Sequence, residues 1–277
     1  MAAAPPPHSA GAPHAPAPDI WQDTHRARSF DRATDQYDQA RPGYPAALFD
    51  TVEELAGRPL GGADTVDVGA GTGIATRSLL ARGARVVAVE PGAGMADRLR
   101  RTLPAVPLLR ADGDALPLAD ASADLITYAQ SWHWTDPERS LPEALRVLRP
   151  GGALAVWWNA ADHSVPWIAG QSERLCAVFG DDAPGRAREL PDTVPAVKRS
   201  IRWTRRVPLA THLDNIGSHS NFLTADPRTA ADTLRRERDE LLMVFPDGQV
   251  VEEYTVLLTV TRRPPATTGD PRTPAKR

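Results

Sequence analysis

Residues 64–73 read Asp64-Thr-Val-Asp-Val-Gly-Ala-Gly-Thr-Gly73. Val66 and Val68 are β-branched and alternate as strand residues do, and the run breaks into glycines at positions 69, 71 and 73. Ile74-Ala-Thr-Arg-Ser-Leu-Leu-Ala81 follows with apolar residues at helical spacing. The stretch therefore predicts a strand, a glycine turn and a helix, the unit that holds nucleotide-like ligands at a strand's carboxyl end. Glycine lets the backbone approach a ligand closely, and the helix start offers free N–H groups to an anion.

Working outward, Arg85-Val-Val-Ala-Val89 predicts a second strand ending on Glu90. An acid at that place can accept hydrogen bonds from two ribose hydroxyls. A third apolar run, Val106 to Leu109, is followed by Asp112, which can accept from an adenine amino group. Three successive strand ends thus offer what an adenosine carrying an amino-acid tail requires. The dinucleotide fingerprint G-x-G-x-x-G fits less well, because Ile74 stands where its last glycine would fall.

These residues resemble class I S-adenosylmethionine (SAM) dependent methyltransferases. The resemblance rests on VDVGAGTG, the acid of VVAVEP, ADGDALPLADASADLI and Leu148-Arg-Pro-Gly-Gly-Ala-Leu154, and covers roughly residues 23–160. Phe30-x-x-Ala33-x-x-x-Tyr37, Arg41-Pro-Gly-Tyr-Pro45 and Ser131-Trp-His-Trp134 are similar to the small-molecule branch, which includes trans-aconitate-type and quinone-biosynthesis-type enzymes. The resemblance implies an α/β, doubly wound, Rossmann-like sheet of seven strands with a reversed C-terminal strand and a small helical cap. It implies SAM as cofactor, with Asp67, Gly69, Ala70, Gly71 and Gly73 around the methionine portion and Glu90, Pro91 and Met95 around the ribose. Asp112 with Gly113 would face the adenine, and Ala129 and Gln130 would line the site after the fourth strand. Asp114 is the competing choice for Asp112, and aligning Leu116-Pro117 with the family's turn selects Asp112. Tyr37 and Arg41 would contact the methionine end or a substrate carboxylate, unless Pro42 and Pro45 only steer the chain there.

Methyl transfer from a sulfonium needs chiefly two reactants held close and in line, with water excluded. A base is required only for an acceptor with an unhelpful pKa. His133 is the candidate for that role; the competing reading is that Trp132-His-Trp134 forms a packed aromatic loop. His163, His212 and His219 are weaker candidates. The helix with Arg228, Arg235, Arg236 and Arg238 interleaves Glu237, Asp239 and Glu240, so it reads as a solvated face rather than a nucleic-acid surface.

The 277 residues carry a formal charge of −3, too small to draw the chain to nucleic acid or anionic membranes. The single cysteine, Cys176, excludes an internal disulfide or a multi-cysteine zinc site. No run approaches the ~20 apolar residues of a membrane span, and no signal-peptide layout opens the chain. A cytoplasmic enzyme acting on a small molecule is expected, with no metal and an open oligomeric state. Residues 1–19 and 264–277 are Ala/Pro-rich and Pro-rich and are expected to be disordered. Between them residues 20–263 form the catalytic domain, with helices at 21–40, 45–56, 74–82, 93–102 and 137–148, and strands at 64–68, 85–89, 106–110, 124–128 and 153–158. Residues 160–200 are expected to form the cap, followed by a strand at 201–207, helices at 211–218 and 227–243, and a reversed strand at 250–260. A nicotinamide-dependent oxidoreductase and a SAM-binding protein without turnover are the alternatives.

Overall fold

A computed structural model of the chain describes residues 40–180, 190–191 and 193–265. Its strands are β1 (Asp64–Val68), β2 (Arg85–Val89), β3 (Leu108–Leu109), β4 (Ala123–Ala129), β5 (Leu148–Ala161), β6 (Ala196–Pro208) and β7 (Gln249–Arg262). They form one sheet in the order β3-β2-β1-β4-β5-β7-β6. Strands β1 to β5 pair in parallel, and β7 lies antiparallel between β5 and β6. The chain leaves β1 toward one edge and returns beside it as β4, so the strand order reverses at the carboxyl end of β1. In doubly wound sheets that reversal opens the crevice in which ligands bind. The expected seven-stranded, Rossmann-like sheet with its reversed C-terminal strand is the one found.

The helices are α1 (Ala46–Ala56), α2 (Ile74–Ala81), α3 (Ala93–Thr102), α4 (Pro137–Val147), α5 (Pro166–Phe179), α6 (Leu209–Gly217), α7 (Ser220–Thr224) and α8 (Pro227–Val244). Period-two alternation sends Thr65 and Asp67 to one face of β1 and Val66 and Val68 to the other. Leu48, Phe49 and Val52 of α1 and Leu79 of α2 cover the first face over Leu125, Ala155, Trp157 and Leu258. Leu141, Ala144 and Val147 of α4 cover the second, over Val66, Ile126, Leu154 and Val156.

Several boundaries differ from expectation, each for a local reason. Pro45 is the N-cap of α1 rather than its first helical residue. Strand β3 shrinks to two residues behind Pro104 and Pro107, which donate no ladder hydrogen bond. Arg149-Pro-Gly-Gly152 is not a free turn: Leu148 already pairs with Ala123, and the extra residues are absorbed as an irregularity at the start of β5. There the Gly151 N–H donates to the Arg263 carbonyl at 3.0 Å.

The cap is also larger than the 160–200 segment expected. Residues 196–200 belong to β6, and α5 packs with α6 and α8, both inserted between β6 and β7. Trp167, Leu209, Leu213, Leu241, Phe245 and Val250 form their shared apolar core. Strand β7 is antiparallel, so its N-terminal end, where these helices join it, lies beside the carboxyl end of β5. The expected helix at 21–40 lies outside the described residues except for Ala40, as do the expected tails except for Pro264 and Pro265, which have no regular structure.

Candidate active site

The carboxyl ends of β1, β2, β3 and β4 form one rim. Asp67, fully buried beneath it, accepts the Thr76 hydroxyl at 2.6 Å and the Thr127 hydroxyl at 2.9 Å. It ties β1 to the first turn of α2 and to β4, so it anchors the turn from below. Burial, only partly offset by these hydrogen bonds, pushes its pKa up to about 6.

The turn itself is strained in a way only glycine tolerates. Gly69 has φ +67°, and a methyl added to it would collide with the side chain of Ser131 on the β4 rim. Ser131 is fixed there because its hydroxyl donates to the Val68 carbonyl at 2.5 Å. Gly71 has φ +57°, yet an added methyl there would meet no atom within 4 Å. Sterics therefore dictate Gly69, whereas Gly71 presents bare backbone to open space, as a close-lying ligand needs. Ala70 and Gly73 complete the turn: Ala70 donates to the Val89 carbonyl at 3.1 Å, and Gly73 caps α2 while donating to the Ala70 carbonyl at 2.9 Å.

Glu90 ends β2 and is 7% exposed. One carboxylate oxygen accepts the Gly71 N–H at 2.8 Å and the other the Gly92 N–H at 2.7 Å. Each oxygen can accept a second bond, so the carboxylate is aimed by backbone and remains a bidentate acceptor in kind. Beside it lie exposed Pro91, whose carbonyl accepts Arg110 at 2.6 Å, and buried Met95 in the first turn of α3.

Beyond β3, Asp112 is exposed and accepts the local N–H of Asp114 at 3.0 Å. Asp114 turns inward, where its carboxylate accepts the Asp136 N–H at 2.9 Å; burial raises its pKa. The two acids thus separate: Asp114 holds the loop to the start of α4, and Asp112 projects outward. Gly113 is buried under Tyr128, whose hydroxyl donates to its carbonyl at 3.3 Å.

Ala129 ends β4, and Gln130 turns the chain with φ +58° while its N–H donates to the Trp157 carbonyl at 2.9 Å. His133 is half-buried in a short 3₁₀ turn, Trp132–Trp134, its ring 4.6 Å from that of Trp134. The two tryptophans divide: Trp132 is core, edge-on to Tyr128 at 4.8 Å, and Trp134 is 46% exposed.

Arg41 reaches the cap, its guanidinium donating to the Ser218 hydroxyl at 3.0 Å and the Ser218 carbonyl at 3.3 Å. Tyr37 lies outside the described residues. His163 is exposed in the turn after β5. His212 is buried, its Nδ1 2.7 Å from a Glu252 oxygen. His219 caps α7, and burial, with Arg41 and His212 nearby, holds its pKa well below the usual imidazole range. Residues that sequence reasoning did not single out include Thr76, Thr127, Asn159 and Asn215; none stands in a recognisable spacing.

A separate open apolar groove of about 710 Å³ lies at the other end of β1 and β2, lined by Val66, Val86, Leu103, Val106 and Leu118 among others. No helix lies between β3 and β4, so among the described residues no helix from that connection covers this part of the sheet. It shares nothing with the rim described above.

A family model described as "Methyltransferase domain" matches residues 66–156. The chain is 38% identical over 241 residues to an uncharacterized methyltransferase of Mycobacterium tuberculosis, covering 84% of this chain and 95% of the relative. Among solved structures it is similar to a candidate type II methyltransferase from Anaeromyxobacter dehalogenans, at 28% identity and TM-score 0.67, covering 82% of this chain and 99% of that one. The same fold is found in a Haemonchus contortus phosphoethanolamine N-methyltransferase in complex with SAM, at 15% identity and TM-score 0.52, covering 88% of this chain and 60% of that one.

Proposed function

Since the chain belongs to the class I SAM-dependent methyltransferases, we propose that it methylates an O, N or C atom of a small molecule held beneath helices α5 to α8. When bound, SAM supplies an electrophilic methyl on a sulfonium. The residues present suit that cofactor, because the bare backbone at Gly71 leaves room that a side chain would fill. In this reading Gly69, Ala70, Gly71 and Gly73 carry the amino-acid portion, with Asp67 bracing the turn. Glu90 accepts from the ribose hydroxyls, flanked by Pro91 and Met95. Asp112 and Gly113 read the adenine, Ala129 and Gln130 close the β4 side, and Tyr37 and Arg41 lie toward the methionine end.

One observation carries the assignment: the Glu90 carboxylate is clamped between the N–H groups of Gly71 and Gly92 at the end of β2. That arrangement joins the ribose acceptor rigidly to the glycine turn. His133 serves as base where the acceptor bears a proton; otherwise positioning and water exclusion suffice. An exposed free thiol, Cys176, suits a reducing compartment, so a cytoplasmic setting belongs to the same proposal. No helix among the described residues is long and apolar enough to cross a membrane.

The test is calorimetric titration with SAM, S-adenosylhomocysteine, NADH and NADPH, on the wild type and on Glu90→Ala. Binding of the sulfur pair that collapses in the variant is expected. Selective binding of the nicotinamides would overturn the cofactor assignment and promote the oxidoreductase alternative.

A further inference from the structure

Three buried side-chain atoms that find no hydrogen-bond partner among the described residues lie on one face of the sheet: Trp157 Nε1, Asn159 Nδ2 and Asn215 Oδ1. Trp157 and Asn159 are two apart on β5 and so point to the same face. Asn159 stands about 7 Å beyond Trp157 at ~3.3 Å per residue, and Trp157 is the residue whose carbonyl receives the Gln130 N–H. Asn159 is therefore just past the β4 rim where the methyl would be delivered.

The orientation of both amides is fixed by chemistry. The Trp203 indole can only donate, and it donates to Asn159 Oδ1 at 2.9 Å. That leaves Nδ2 of Asn159 as the unfilled donor. On the cap side, the Tyr254 hydroxyl donates its one proton to Glu252 at 2.9 Å. Its oxygen must then accept from Asn215 Nδ2, at 3.2 Å, which leaves Oδ1 of Asn215 as the unfilled acceptor. Trp203 and Tyr254 are register partners on β6 and β7 and stack at 5.3 Å between ring centres. Each asparagine is thus held by one member of a single stacked aromatic pair. Asn215 is 5% exposed, so a missing partner there is costly.

We infer that Asn159 and Asn215 read the methyl acceptor, and that the acceptor is a neutral ring compound carrying a hydrogen-bond acceptor beside a donor, as a ring hydroxyl next to a carbonyl or carboxamide does. The carbonyl takes the Asn159 N–H, the hydroxyl gives its proton to Asn215 Oδ1, and the ring lies against the aromatic pair. A carboxylate is disfavoured, since it would set negative charge against Asn215 Oδ1. This inference rests on the methyltransferase reading above.

The experiment measures binding of salicylamide and 2′-hydroxyacetophenone to protein loaded with S-adenosylhomocysteine, by ligand-observed NMR, beside benzamide and acetophenone, which lack the hydroxyl. Both hydroxylated probes should bind about tenfold more tightly than their partners. Asn159→Asp keeps Oδ1 for Trp203 and replaces only the unfilled donor by an acceptor, so it should weaken the hydroxylated probes by about tenfold or more. Asn215→Leu should erase the preference for the hydroxyl while sparing S-adenosylhomocysteine binding. Equal binding of each probe and its partner, binding unaffected by Asn159→Asp, or no probe binding in protein that holds S-adenosylhomocysteine would each overturn the inference. Failure to hold S-adenosylhomocysteine would overturn the methyltransferase reading itself, and so separates the two.

Discussion

The carboxylate of Glu90 accepts the backbone N–H of Gly71 at 2.8 Å, joining the end of β2 to the middle of the glycine turn. A single substitution at Glu90 therefore acts on two parts of the proposed cofactor site. Glu90→Ala removes the ribose acceptor and also releases the N–H groups of Gly71 and Gly92. Charge-assisted hydrogen bonds contribute about 1.5–3 kcal/mol each, so SAM affinity should fall about a hundredfold or more by calorimetry. Glu90→Gln keeps one acceptor oxygen and should lose about tenfold. Equal affinities in all three proteins would remove Glu90 from the site.

The glycines of the turn should separate stability from binding. Gly69→Ala places a methyl against Ser131 in a left-handed conformation, and clash plus strain should cost about 3 kcal/mol or more. Gly71→Ala meets only the left-handed strain, about 1–2 kcal/mol, yet its methyl fills the space proposed for the ligand. Thermal melts should show the larger loss for Gly69→Ala, and titration should show SAM binding lost in Gly71→Ala. Adding Ser131→Gly to Gly69→Ala should recover the steric part of the loss, less the lost Ser131–Val68 hydrogen bond, and leave the strain.

The sequence made the rim legible because its chemistry is carried by strand ends: alternating Val66 and Val68, then glycines, then an acid after each neighbouring strand. Backbone geometry alone brings Gly71, Glu90 and Asp112 to one edge once the strand order is known. The cap was less legible for an equally physical reason. The helix at 227–244 shows alternating charge on its surface, and Glu237 looked like one more solvated member. It is 1% exposed, bound by Arg174 at 2.7 Å and by Gln171 at 3.2 Å, because α5 packs against that side. The expectation of a wholly solvated polar face fails at that residue, although Arg228, Arg235, Arg236 and Arg238 are exposed. A buried ion pair leaves no local pattern, since its partner is 63 residues away. Asn159 and Asn215 were missed likewise: nothing in their neighbours signals that Trp203 and Tyr254 will orient them.

Asp112 and Asp114 offer a second separation. Asp114 accepts the Asp136 N–H inside the fold, whereas Asp112 projects outward. Asp114→Ala should lower the melting temperature by a few degrees, as loss of about 1 kcal/mol does in a chain of this size, because the Asp136 N–H at the start of α4 loses its acceptor. Asp112→Ala should melt like the wild type and bind SAM about tenfold more weakly. The reverse pattern would transfer the adenine role to Asp114.

Asp67 gives the turn a pH dependence that can be isolated. Its pKa rises from 3.8 to about 6 because burial disfavours the carboxylate more than the hydrogen bonds from the Thr76 and Thr127 side chains and the Thr76 backbone favour it. The folded state then binds this proton more tightly than the unfolded chain, so Asp67 favours folding at low pH. That contribution is fully present below about pH 3.8 and is lost as pH rises through about 6. A shift of about two units corresponds to about 3 kcal/mol. Asp67→Asn removes the titration while keeping the shape, its amide donating to one threonine hydroxyl. The stability difference between wild type and Asp67→Asn, from urea unfolding at steps between pH 4 and pH 7, should therefore move against the wild type by about 2.5 kcal/mol across that range, the remainder being lost below pH 4. Other carboxylates, such as Asp124 with its lowered pKa, titrate in both proteins and cancel. A difference that stays flat from pH 4 to pH 7 would mean that Asp67 is ionised at its ordinary pKa beneath the turn.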